Sequence, residues 1–409
     1  MIDRLAARIV LFAAALLLAG PALAAGLYGQ WRVAFDHPGG PLPFTLDVRP
    51  GKAGTGAGAQ AYILNPPERL RAEQVEVTSD TISISFPSYN SRLVLKAASD
   101  GTLAGAATVL RSAGTVTLAA TATRGTWRFT AGAVKPAADV SGRWTLLLGE
   151  NRTRGLAILK QTGAAVSGTV QMPSGDVRYL AGELNGNQLR LSTFDGSFTN
   201  LWTGTLSGNT LKGAQFAATS RPAGNPFEAT RDRRADIAAV AVERPGGERL
   251  AFRLPTPDGP PISLADARYK GKVVVISIGG AWCPNCHDEA QYLGPYAARR
   301  QREGLEIIGM QFEYGSDEAR AMRQISGFKA RYKLPYAMVY GGQPNADDTK
   351  RVLGDLAPVK VWPTTIFIGR DGRVREVHVG WAGPATGVLN VRAKREFDET
   401  VSRLLAEKA

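Results

Sequence analysis

Cysteine is nearly absent from the 409 residues: there are 2, at positions 283 and 286. That excludes a disulfide-stapled scaffold and a four-cysteine zinc site. Histidine is almost as scarce, with 3, at positions 37, 287 and 378, which leaves little for a histidine-based metal site. No metal or cofactor is expected. No apolar run approaches the ~20 residues of a membrane-spanning helix; the longest goes only from Ile9 to Ala19. There is also no run of five or more Lys/Arg. The net charge of +13 is therefore spread along the chain and reads as a solvated basic surface, not a nucleic-acid footprint. With 44% hydrophobic and 21% charged residues, the chain is not largely disordered.

What is there begins with an export pattern. Arg4 and Arg8 precede the apolar run, Pro21 breaks it, and Ala22-Leu23-Ala24 fits a small-x-small cleavage site. Residues 1–24 read as a secretory signal peptide, with an uncleaved anchor as the alternative. No Cys follows the run, which argues against a lipoprotein anchor. The expected location is a bacterial periplasm. An exported protein normally spends its cysteines on structural bridges. A bridge closing so small a loop as 283–286 adds little stability, so this pair reads as retained for chemistry.

From Gly26 to about Arg231 the sequence alternates short strands with Gly, Asn, Asp and Ser turns, as in TISISF (81–86), RLVLKA (92–97), QLRLST (188–193) and TLKGAQF (210–216). This predicts an all-β module, and it looks duplicated. Gly29-x-Trp31 and Gly142-x-Trp144 open the two halves, and Phe86, Leu93, Leu103 and Gly105 recur as Phe194, Leu201, Leu211 and Gly213. The repeats are placed at 26–137 and 138–231. Each Gly-x-Trp resembles the first-strand signature of lipocalin and avidin barrels. The reading preferred here is an aromatic plugging the end of a β-meander, not a ligand-binding barrel.

Residues 232–247 read as a linker, and 248–409 as an α/β domain with a mixed sheet. VVVISI (273–278) is a buried central strand. Residues 284–302 read as a helix kinked at Pro295. A second helix, 317–332, carries Ala319, Met322, Ile325, Phe328 and Tyr332 on one stripe. Trp282-Cys283-Pro284-Asn285-Cys286 joins the strand to the first helix. Cys283 then lies at a helix N-terminus, where free N–H groups favour a thiolate, and Cys286 lies one turn on. No second ligand pair exists for zinc, so the motif points to thiol–disulfide exchange.

Residues 248–409 resemble the TlpA/ResA-type periplasmic thiol-disulfide oxidoreductases of the thioredoxin superfamily. The carriers are the segments 252–290, 361–374 (VWPTTIFIGRDGRV) and 378–387 (HVGWAGPATG). The resemblance implies a nucleophilic Cys283, a resolving Cys286 and a cis Trp362-Pro363 bond. It also implies that Trp282, Trp362, Pro363 and Thr364 bind a substrate chain. Glu289, three residues after Cys286, would act in proton transfer. Where thioredoxin has a buried Asp, this chain has Ser277. His287 is expected to point to solvent, and Asp288 to face away from the pair without a role.

The leading function is thus a dithiol/disulfide exchanger, by resemblance a reductase of protein disulfides recharged by a membrane relay of the DsbD/CcdA type. The alternatives are a redox-sensing binding or scaffold protein whose β module captures a partner, and a peroxiredoxin-like peroxidase. The latter needs a Pro-x-x-x-Thr/Ser-x-x-Cys context, which Ile276-Ser277-Ile278-Gly279-Gly280-Ala281-Trp282-Cys283 lacks. The substrate, the β module's partner and the oligomeric state are not legible.

Overall fold

The computed structural model describes residues 26–51, 58–219, 221–243, 245, 247–356 and 358–408. The export pattern at 1–24 lies outside these residues.

Alternating apolar positions fold the first part of the chain into two antiparallel sheets of nine strands each. In the first, Gly29–Phe35 pairs with Leu42–Arg49 on one side and Gly114–Arg124 on the other. The short strands Glu68–Arg71 and Gln74–Val77 form its two edges. In the second, Gly142–Leu148 pairs with Thr153–Thr162 and Asn225–Arg231. There Thr153–Thr162 also pairs with Ala165–Met172, so the sheet closes into a barrel with Gly175–Asp176 as a spur.

The duplication is physical. Trp31 and Trp144 are buried in corresponding first strands. Each indole Nε1 donates to the carbonyl four residues earlier, Leu27 at 2.9 Å and Val140 at 3.0 Å. Each ring lies under an arginine of the last strand, Arg124 at 3.8 Å and Arg231 at 4.4 Å. Gly105 and Gly213 also correspond. A Cβ at either would collide with the neighbouring strand's carbonyl, Val94 or Thr203. The sequence reading preferred a meander end-plug over a ligand-binding barrel. The second sheet closes into a barrel rather than an open meander, and its interior is filled by Trp144, Leu146, Leu191 and Trp202, so the tryptophan is a packing plug.

The third sheet has six strands. Val273–Gly279 runs parallel to Leu305–Phe312 and antiparallel to Thr364–Ile368. Its odd residues, Val273 and Val275, pack with helices α1 (Pro284–Arg300), α2 (Glu318–Tyr332) and α4 (Val388–Ala406), which carry Leu293, Phe328 and Phe397. Its even residues, Val274, Ile276 and Ile278, pack with α3 (Ala346–Leu353) and the hairpin 253–263. This is the expected three-layer mixed sheet.

Two sequence readings need correction. Part of the stretch read as a linker is structural: Ala241–Glu243 adds as an edge strand to Val374–Val379, and Ala235, Ala239 and Val240 are buried. The buried stripe of α2 is Ala321, Gln324, Ile325 and Phe328, while Ala319 is exposed and Met322 half-buried. The cause is a second neighbour. α2 lies against the first β sheet as well as its own, and Gln324 Nε2 donates to Ser88 O at 3.4 Å.

Candidate active site

The buried strand Val273–Gly279 delivers the chain through Gly280 and Ala281 to the cysteines. Gly280 is required: a Cβ there would meet the Trp282 indole and Phe312 O. Cys283 caps α1, its Sγ accepting from Cys286 N at 3.3 Å, and Pro284 fills the first helical position, where a missing N–H costs nothing. Cys283 and Cys286 form a disulfide, with Cα atoms 5.3 Å apart. Both residues are only 4% exposed.

Trp282 and Trp362 pack against this disulfide together with Tyr314 and Phe198. Trp282 stacks on Tyr314 at 4.6 Å, and its Nε1 donates to Phe312 O at 2.8 Å. The Trp362–Pro363 bond is cis. Pro363 O accepts from Gly380 N at 2.9 Å. The Thr364 hydroxyl donates to Val361 O at 2.8 Å, and Thr364 lines a cavity bounded by Glu243 and Val377.

Glu289 is 1% exposed and its carboxylate accepts two hydroxyls, Ser277 Oγ at 2.7 Å and Thr365 Oγ1 at 2.6 Å. Ser277 and Thr365 are directly paired across neighbouring strands, so the sheet register builds this site. Burial raises the Glu289 carboxyl above its ordinary value, and the two hydroxyls offset part of that rise.

His287 and Asp288 correct the sequence reading. His287 does not point to solvent. It is buried, stacks on Tyr89 of the first sheet at 4.0 Å, and bonds Ala281 O and Tyr332 OH, each at 2.7 Å. Burial holds its pKa well below the usual histidine value, so it is neutral. Asp288 does have a partner: Arg178 of the barrel, at 2.8 Å and 110 residues away in the chain. Arg178 also pairs with Glu68, and Asp176 accepts from Arg178 N and Gly383 N. Neighbours on the far side of α1 thus come from the β region, which is why its helical phase alone read as solvated.

Other residues escaped the sequence reading. Glu313, just past the strand Leu305–Phe312, is fully buried, and its Oε1 accepts from Ala281 N at 2.7 Å. Burial pushes its carboxyl up to about 8. A charged residue directly after an apolar strand end was the available signal. Phe198 and Arg178 offered none, because the side-chain contacts that bring them to the site are long-range.

Comparison with known proteins agrees with this geometry. Residues 245–377 match the AhpC/TSA family. The chain is 31% identical over 130 residues to the thiol:disulfide interchange protein DsbE of Pseudomonas aeruginosa, covering 32% of this chain and 63% of that one. It is 32% identical over 134 residues to DsbE of Escherichia coli K12, covering 32% and 64%. It is 27% identical over 144 residues to the thiol-disulfide oxidoreductase ResA of Halalkalibacterium halodurans, covering 35% and 73%. The chain thus spans a little under two thirds of the length of these two DsbE relatives. The part of this protein that carries the disulfide is similar to thiol-disulfide oxidoreductases of the DsbE and ResA kind, and its AhpC/TSA match lies wholly outside the two nine-stranded sheets.

Proposed function

We propose that the protein is a thiol-disulfide oxidoreductase that reduces protein disulfides outside the cytoplasm. The observation that carries this reading is the Cys283–Cys286 disulfide at the N-terminus of α1, with Cys283 as the cap. There the helix N–H groups stabilise a thiolate. In the reduced enzyme the Cys283 thiolate attacks a substrate disulfide. The substrate S–S bond breaks, one substrate thiolate leaves, and a mixed disulfide forms. Cys286 then loses its proton and attacks Cys283 Sγ, which releases the second substrate thiol. Two electrons pass to the substrate and the enzyme is left as the disulfide.

Glu289 is the proposed acceptor for the Cys286 proton. Trp282 and Trp362 flank the substrate chain, while Pro363 and Thr364 hold the loop that carries Trp362. Recharging needs a dithiol donor, for which a membrane relay of the DsbD/CcdA type is proposed, with residues 1–24 as the export signal.

Reduction of a cysteine-bearing peptide in mixed disulfide with thionitrobenzoate, with dithiothreitol as donor, tests the activity: wild type should accelerate release of thionitrobenzoate and Cys283→Ser should not. No acceleration by wild type returns the protein to a binding or sensing role. The potential of the couple tests direction. A value near about −270 mV means reductant, and one near about −120 mV means oxidant.

A further inference from the structure

The β region does not stand apart from the dithiol. A cavity of 290 Å³ opens directly on Cys283, and one of its two walls belongs to the barrel. On the α/β side stand Trp282, Pro284 and the loop Lys360–Trp362. On the barrel side stand the segment 174–178 and the turn that carries Phe198. The volume is just below the roughly 300–1,000 Å³ typical of small-ligand clefts. It is too small to seat a folded protein surface.

The barrel wall is rigidly built. Asp195 Oδ1 accepts from Ser197 N at 2.9 Å and Phe198 N at 2.6 Å, which closes the turn. Arg111 of the first sheet grips it, donating to Ser197 O at 2.6 Å and placing its guanidinium 4.3 Å over the Phe198 ring. Ser91 Oγ donates to Gly196 O. Gly196 has φ +94°, and a Cβ there would also press on the Phe86 ring. Behind this wall, Arg178 ties the barrel to α1 through Asp288. A turn fixed from three elements, presenting an aromatic ring to a buried disulfide, is a preorganised surface.

A second cavity, of 500 Å³, adjoins the first. Ser174 and Val361 line both, and the second runs along the barrel rim past Asn151 and Pro226. A single cysteine would fill the first part alone. The extension gives room to the residues flanking it.

We propose that the barrel completes the substrate site: Phe198 and the segment 174–178 wall a cleft that admits an extended, cysteine-bearing polypeptide segment and excludes disulfides held in a folded surface. This rests on the exchange activity proposed above. Phe198 is then a specificity-determining residue.

The test compares three substrates on the full chain: an unstructured peptide whose cysteine is in mixed disulfide with thionitrobenzoate, free cystine, and insulin. Wild type should favour the peptide over both others by at least about tenfold in kcat/KM. Phe198→Ala should cut the peptide-to-insulin ratio at least about tenfold, whereas Val391→Ala, on the exposed face of α4, should leave it unchanged. An unchanged ratio in Phe198→Ala overturns the wall, and cystine reduced as fast as the peptide overturns the extended-chain assignment. A second measurement does not depend on turnover. In the reduced protein, a polyethylene-glycol maleimide should label Cys283 far more slowly than N-ethylmaleimide does, and Phe198→Ala should close that gap. Equal labelling in wild type overturns the wall, whereas no turnover on any substrate with the labelling gap intact refutes the exchange activity alone.

Discussion

Glu289→Gln isolates one proton from one fold. The carboxylate is buried and held by the Ser277 and Thr365 hydroxyls at 2.7 and 2.6 Å. Glutamine keeps Oε1 as an acceptor for Thr365. Its amide N–H can donate to Ser277, whose hydroxyl turns to accept. The variant should therefore fold, with stability at low pH within about 1 kcal/mol of wild type. Burial raises the wild-type carboxyl pKa, so the folded protein binds this proton more tightly than the unfolded chain. That contribution is full below the ordinary carboxyl value and is lost as pH rises through the raised one. The variant should gain stability relative to wild type as pH rises. For the rate, the position of the sulfur matters. Cys286 Sγ lies against Gly279, 3.1 Å from where a Cβ would be. Ser277 is two residues back on the same face, or ~6.6–6.8 Å along the strand. With the carboxyl anchored by the Ser277 and Thr365 hydroxyls, we take the proton to pass through one water. Acid–base help is typically worth about 10²–10⁴-fold, and a relayed transfer belongs at or below the low end. We expect exchange to slow at least about tenfold. Stopped-flow reduction from about pH 5 to 9 is the assay, and superimposable profiles for wild type and variant would refute the reasoning.

Cys286→Ser should accumulate mixed disulfides with substrate, and Cys283→Ser should not; non-reducing gels after substrate mixing read this directly. Arg178→Ala leaves Asp288 and Glu68 buried without their cation, which should cost about 3–5 kcal/mol in urea denaturation. Asp288→Asn should also destabilise, by less, while keeping the wild-type pH profile of exchange. Glu313, with its carboxyl up at about 8, favours the folded state below the ordinary carboxyl range and loses that effect as pH climbs through about 8. Glu313→Gln should flatten the fall in Tm between the ordinary carboxyl range and about pH 8, as followed by circular dichroism.

Local pattern carried much of this protein. TISISF and TLKGAQF are strands at the residues where alternation placed them. VVVISI is a central strand because a β-branched apolar run is stable only when both faces are covered. Cys283 as helix cap follows from strand, turn and Pro284 in succession. The Ser277–Thr365 cradle of Glu289 was not legible: helical spacing put Glu289 on the face of Cys286, but both hydroxyls reach it through the packing of the helix on a strand pair whose register sets them side by side.

The sequence by itself therefore determined the two halves of the β region, the α/β layer order and the dithiol, because each rests on contacts within a few residues or on hydrophobic period. Tertiary structure alone decided what surrounds the dithiol. His287 and Asp288 read as solvated because a helix taken singly has a free far side, and here Tyr89 and Arg178 occupy it. Phe198 carries no local mark of proximity to Cys283. Its position depends on closure of the barrel and on an arginine from the other sheet. A buried ion pair such as Arg178–Asp288, 110 residues apart, leaves no periodic trace, since each partner is written into its own element as an ordinary polar residue.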